Sequence, residues 1–124
     1  MTLGMIFRIS GIILFINGLS MFFTPGMAIE MYGMTIAEDM IVLVRGLGLS
    51  FAGTGILVFM LPSWIDSKLA AAGILAGLTQ LAWFCHLGYD LYTDNISGTP
   101  AIINLLLTAI FAILFFVMSA KHSK

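Results

Sequence analysis

Four long apolar runs, each near the length that crosses a bilayer, constrain this chain more than any other feature. They cover about Leu3–Phe23, Met40–Leu61, Leu69–Tyr89 and Ala101–Ala120. A membrane helix needs roughly 20 predominantly apolar residues. The strands of a membrane barrel would alternate apolar and polar residues, and these runs do not. Residues with turn chemistry separate them. Thr24-Pro25-Gly26 is expected to end the first span and Pro62-Ser63 the second, while Asp94 to Pro100 divides the third from the fourth. Proline lacks the amide donor and glycine leaves helical geometry cheaply, so both punctuate helices. The pattern predicts an all-α polytopic membrane protein: a single four-helix transmembrane domain over residues 1–124.

Composition excludes the soluble alternative. Of the 124 residues, 60% are hydrophobic and 9% charged, whereas soluble domains carry about a quarter charged residues. A soluble chain this short could not remove so much apolar surface from water. Five Lys/Arg stand against six Asp/Glu, a balance that points away from nucleic acid. Cys85 is the one cysteine, so no internal disulfide and no cysteine-rich metal site can form. The first run reads as a retained span and not a cleaved leader. Arg8 is its only early positive charge, and no small-x-small cleavage pattern follows.

Positive charge marks the cytoplasmic side of a membrane protein. Arg8, Lys68, Lys121 and Lys124 fall on one side of the four-span layout. Glu30, Glu38, Asp39, Asp90 and Asp94 fall on the other, where Arg45 is the only basic residue. Both termini are therefore expected in the cytoplasm. The outer connection from Pro25 to Asp39 carries Met27, Ile29, Met31, Tyr32, Met34 and Ile36. That is too apolar for a solvated loop and predicts a short segment along the membrane interface. Trp64, placed in the cytoplasmic turn, has the character of an interfacial anchor.

Small residues let helices approach in lipid, where apolar surface alone gives no drive to associate. Gly48, Ala52 and Gly55 form a stripe on span two that Arg45 continues outward. Span three carries Gly73-x-x-x-Gly77, and span one has Gly11 and Gly18. Contacts within one chain are the favoured use of all three. A faint echo links the first two spans: Arg8, Gly11, Gly18, Phe22 and Pro25 recur 37 residues later as Arg45, Gly48, Gly55, Phe59 and Pro62. Inverted repeats build transporter sites. This echo does not reach the second pair of spans, and chance or shared packing needs account for it.

Polar groups inside a span are costly and mark either a structural pair or a site. Arg45 lies six residues inside Asp39, about 9 Å deeper along a helix. His86 and Asp90 are four apart and share one face of span three with Thr79 and Trp83. Asn17 and Asn104 lie at comparable depth in spans one and four, while Ser50, Thr54 and Gln80 are nearer the midplane. Asn17, Arg45, His86, Asp90 and Asn104 are therefore candidates for a polar-floored cavity opening outward, with Arg45 for an anionic group and Trp83 for an apolar ligand. The competing reading is structural: Arg45 pairs with Asp90, Glu38 or Asp39, and His86 bonds locally. His86 is also the one candidate axial ligand for haem or chlorophyll. No histidine–carboxylate cluster has metal-site spacing, and Cys85 points about 100° from His86, which excludes a nucleophile–base pair. The nine Met and ten Phe suit packing or lipid contact, with Phe111, Phe115 and Phe116 able to line an apolar pocket.

Two stretches resemble a known family. Arg8-x9-Gly18 running into Pro25, then Arg45-Gly46-Leu47-Gly48 leading a glycine-rich second span, is similar to small DoxX-like four-helix membrane proteins, especially bacterial relatives of this length. The resemblance implies a multi-pass protein of a bacterial inner membrane. Some DoxX proteins serve as small subunits of membrane redox complexes that pass electrons to quinone, but no catalytic residue of theirs maps onto this chain. The leading functional expectation is a non-enzymatic membrane protein, either an accessory subunit among other membrane subunits or a binder of lipid-like molecules. A redox-linked subunit holding quinone, haem or chlorophyll near His86 and Arg45 comes second. A transporter or channel component comes third, because the cytoplasmic halves offer little polarity beyond Ser10.

Overall fold

A computed structural model describes residues 1–122. It contains α1 (Leu3–Phe23), α2 (Pro25–Met31), α3 (Glu38–Trp64), α4 (Leu69–Tyr92) and α5 (Thr99–His122). The four long helices are apolar and long enough to span a bilayer, so the chain is a multi-pass, all-helical membrane protein. Lys124, used above for orientation, lies outside the described residues.

Local chemistry explains most boundaries. The Thr2 hydroxyl caps α1 by accepting from the Met5 amide at 3.3 Å. At the other end of α1, both the amide and the hydroxyl of Thr24 return to the Ser20 carbonyl at 2.8 Å. Pro25 then opens α2, where its missing donor costs nothing. The apolar stretch expected along the interface is this short helix, anchored by the buried Ile29.

The expected break at Pro62-Ser63 does not occur. Pro62 lies inside α3, which runs on to Trp64 and stops at Ile65, whose amide closes on Leu61 at 3.0 Å. Proline removes a single ladder bond here, whereas stopping at Leu61 would leave a whole turn of backbone without partners in a region with little water. Trp64 is accordingly the last helical residue and not a turn residue. Likewise α4 continues three residues past Tyr89, and the Thr93 hydroxyl bonds the Tyr89 carbonyl at 2.8 Å.

The long helices are arranged as two closely packed antiparallel pairs, α1 with α3 and α4 with α5. In the first pair backbone meets backbone. A methyl on Gly11 would lie 2.7 Å from the Gly55 carbonyl oxygen and from the Phe59 amide. One on Gly48 would lie 2.6 Å from the Gly18 oxygen and 2.7 Å from the Phe22 amide. These two environments are the same environment shifted by 37 residues: Gly11, Gly55 and Phe59 become Gly48, Gly18 and Phe22. Gly18, against Ala52 and Gly48, corresponds in the same way to Gly55, against Phe15 and Gly11. The glycine and phenylalanine members of the echo therefore serve one shared packing need. They pack on one another about a local two-fold axis perpendicular to the helices, so α1 and α3 form an inverted repeat.

The second pair is less intimate. Gly73 of α4 admits the buried Ser119 side chain and Leu3, and Gly77 admits the Phe116 ring. Thus the Gly73-x-x-x-Gly77 motif serves contacts within the chain. The two pairs join mainly where α1 and α4 begin and α3 and α5 end. There Leu3, Ile6, Phe7, Leu69, Phe111 and Phe115 form the core, flanked by Val58, Leu61 and Ile65. Phe7 meets Phe115 edge to face, with centroids 4.9 Å apart. Phe111 and Phe115 are thus core residues. This end carries Arg8, Lys68 and Lys121 and is called the basic face below; the end with α2 is the acidic face.

The acidic face is closed by two loops. The Ser97 amide donates to the Tyr32 carbonyl at 2.8 Å. Gly33, at φ 72°, presses against the Ser97 side chain, where a β-carbon would collide. Ile29, Ile96 and Ala101 are buried beneath this junction.

The repeat generates a matched set of mutational outcomes. Gly11→Ala, Gly18→Ala, Gly48→Ala and Gly55→Ala each thrust a methyl into backbone, at a cost of about 1–3 kcal/mol. Gly46 and Gly53 have nothing within 4 Å, so alanine there is neutral or stabilising by up to about 1 kcal/mol through helix propensity. Equilibrium unfolding in mixed detergent micelles checks all six, with symmetry-related variants expected to behave alike.

Candidate functional site

The predicted site residues are not brought into one enclosed cavity. Arg45 and Asn17 are exposed on the outer surfaces of α3 and α1. Asn104 is half-buried, and its amide donates to the Tyr32 hydroxyl, joining α5 to the chain following α2. Of the five, only His86 and Asp90 meet, Nε2 to Oδ2 at 3.4 Å. Arg45 makes no ion pair among the described residues, whether with Asp90, Glu38 or Asp39.

Helix geometry explains why Arg45 and His86 stay apart. The stripe of Gly48, Ala52 and Gly55 is turned toward α1, and at the depth of Trp83 it is Phe51 of α3 that reaches α4. Six positions at about 100° each put Arg45 roughly 120° around the helix from Phe51. The expected juxtaposition of spans two and three is therefore made by aromatic rings and not by charges.

Phe51 meets Trp83 edge to face at 6.0 Å between centroids, and Trp83 meets His86 at 5.6 Å in the same manner. Because α3 packs on α1 and α4 on α5, little else fills the space beside these rings. A shallow lateral recess of about 260 Å³ remains, lined by Thr79, Ala82, Trp83 and His86. Of the four residues named from the sequence as sharing a face of span three, Thr79, Trp83 and His86 line it, and Asp90 stands behind His86. Phe51 and Ala82 were not anticipated. An aromatic residue in an apolar span carries no local signal, and only the pairing of α1 with α3 sends Phe51 toward α4.

The polarity of the recess is narrow and specific. The Thr79 hydroxyl is spent on the Leu75 carbonyl at 3.0 Å, so Thr79 presents mainly its methyl. The Asp90 side chain is only 20% exposed, while that of His86 is 61% exposed. His86 Nε2 faces the Asp90 carboxylate; with the proton on that nitrogen, Nδ1 is the hydrogen-bond acceptor. Asn95 supports the same carboxylate, donating from Nδ2 to Oδ1 at 3.2 Å. Among the described residues, no three of His, Cys, Asp and Glu converge as a metal site would require. Cys85 is exposed. Comparison with family models, curated proteins and solved structures finds no match.

The Tyr32–Asn104 contact has a titration signature of its own. Burial pushes the Tyr32 phenol above its ordinary value, near 10. The unfolded chain then loses this proton before the folded one. Stability from this group is complete below about pH 10 and declines as pH rises further. Tyr32→Phe is expected to remove that share of the alkaline loss and to cost about 1 kcal/mol at neutral pH through the unpaired Asn104 amide. Unfolding midpoints of the two proteins across pH 7 to 11 measure both effects.

Proposed function

We propose that this chain is a non-enzymatic membrane protein that binds a lipid-like molecule through the recess beside α4. One observation carries the reading: an exposed indole and an exposed imidazole lie side by side on a membrane-spanning helix, with the imidazole oriented by a carboxylate. An apolar body rests on Trp83, Ala82 and Phe51, and a hydroxyl at its end donates to His86 Nδ1. A recess open to the side suits entry from the bilayer, where the ligand is already dissolved. Enclosed sites for small molecules commonly occupy about 300–1,000 Å³, so this one holds a ring or head-group and leaves a chain among the lipids. Isoprenoid quinols, sterol-like alcohols and fatty alcohols have that form. The DoxX-like resemblance and a bacterial inner membrane fit the quinol member of this set, and so does a role beside a larger membrane complex.

Haem or chlorophyll is the weaker alternative. Nε2 already faces Asp90, so a macrocycle would need Nδ1, the nitrogen nearer the helix backbone.

Trp64→Phe leaves Trp83 as the sole tryptophan, since the chain has two, and its emission is read with excitation that spares the three tyrosines. A brominated fatty alcohol should quench Trp83 saturably, and the matching brominated hydrocarbon only in proportion to its membrane concentration. Adding His86→Phe should weaken the alcohol about tenfold, the worth of one hydrogen bond. Equal quenching by both compounds would sink the proposal, and a Soret or chlorophyll band in the purified protein would replace it with the macrocycle.

A further inference from the structure

A second polar feature lies at the other end of the molecule. Arg8 is the sixth residue of α1, at a depth where a charge is costly if it stays there. It does not stay there. Its Nη2 donates to the Ser63 hydroxyl at 3.2 Å, and its guanidinium carbon sits 5.8 Å from the centre of the Phe59 ring. Ser63 is the penultimate residue of α3, so the side chain has climbed the helix pair to the basic face. Beside Ser63, the exposed Trp64 marks the depth of a membrane–water boundary.

The guanidinium is held but not neutralised. The ion pairs among the described residues are His86–Asp90 and His122–Asp66, and neither includes Arg8. Of its five N–H donors, one goes to Ser63. Ser63 accepts that bond through its oxygen and keeps its own proton to donate. A fixed, uncompensated guanidinium fork beside a free hydroxyl donor is the complement of a phosphate group.

The inverted repeat contains its own comparison. Arg45 is the counterpart of Arg8, but Gly26 stands at the position equivalent to Ser63. Arg45 accordingly has no hydroxyl to hold it and stacks on no ring among the described residues. One end of the α1–α3 pair is built for an anion, and the other merely carries a charge.

We infer that Arg8 and Ser63 form a site for the phosphate of an anionic phospholipid in the leaflet at the basic face. The acyl chains lie against the apolar flank of the α1–α3 crossing, where Ile12, Phe15, Ile56, Phe59 and Met60 line a shallow groove of about 160 Å³. Among the described residues no carboxylate pairs with Arg8 to receive the amine of a zwitterionic headgroup, so phosphatidic acid and phosphatidylglycerol are preferred over phosphatidylcholine. This site is independent of the Trp83 recess.

Native mass spectrometry of the full chain, titrated with each of the three phospholipids in mild detergent, tests the inference. Wild type should retain one anionic phospholipid. Arg8→Gln should weaken it about tenfold, and Ser63→Ala and Arg8→Lys about threefold each, as charge-assisted hydrogen bonds are lost. Arg45→Gln should change nothing, and millimolar inorganic phosphate should not displace the lipid. Equal loss from Arg45→Gln and Arg8→Gln, unchanged binding in Ser63→Ala and Arg8→Lys, equal retention of phosphatidylcholine, or displacement by free phosphate would each overturn it.

Discussion

The molecule depends on the backbone approach of α1 to α3. Lipid provides no hydrophobic reason for two apolar helices to associate, so attraction must come from contact area and hydrogen bonds. Gly11 and Gly18 on one helix, and Gly48, Ala52 and Gly55 on the other, bring the main chains close enough for that contact. Everything else is arranged around this choice. Because α3 spends its small-residue stripe on α1, it has only isolated side chains left for α4. The recess beside Trp83 exists because that stripe points elsewhere.

The four spans were legible because length and hydrophobicity determine them almost alone. Their ends were less so. Pro62 reads as a stop by the rules of helices in water, but in an apolar setting the surrounding carbonyls gain more from continuing the ladder. The site was legible only within a single helix. The grouping of Thr79, Trp83, His86 and Asp90 follows from 100° per residue, and the first three of them line the recess. The grouping across helices did not form, since it needed the rotation of α3 about its own axis, and that is set by glycines whose partners cannot be told from spacing.

The 37-residue echo shows the same limit from the other side. As a string it is five matching residues among many apolar ones, with nothing to distinguish it from coincidence. As a set of contacts it is self-consistent, because each glycine meets the image of what its counterpart meets. Divergence between the copies is then informative. Ser63 against Gly26 separates an anchored arginine from an unanchored one.

The division into two antiparallel pairs also has a consequence for how the chain is made. The closest contacts lie within residues 3–64 and within residues 69–122, so each half can zip together once its second helix has entered the bilayer. The first half is complete before the second has left the ribosome. Joining the halves then requires Leu3, Ile6 and Phe7, the earliest part of the chain, to meet Leu69, Phe111 and Phe115, with Phe115 among the last. That interface cannot form during synthesis of the first three spans. Until α5 arrives, Phe7 lacks the Phe115 ring that it meets edge to face in the finished bundle, so the core that joins the two pairs is completed last.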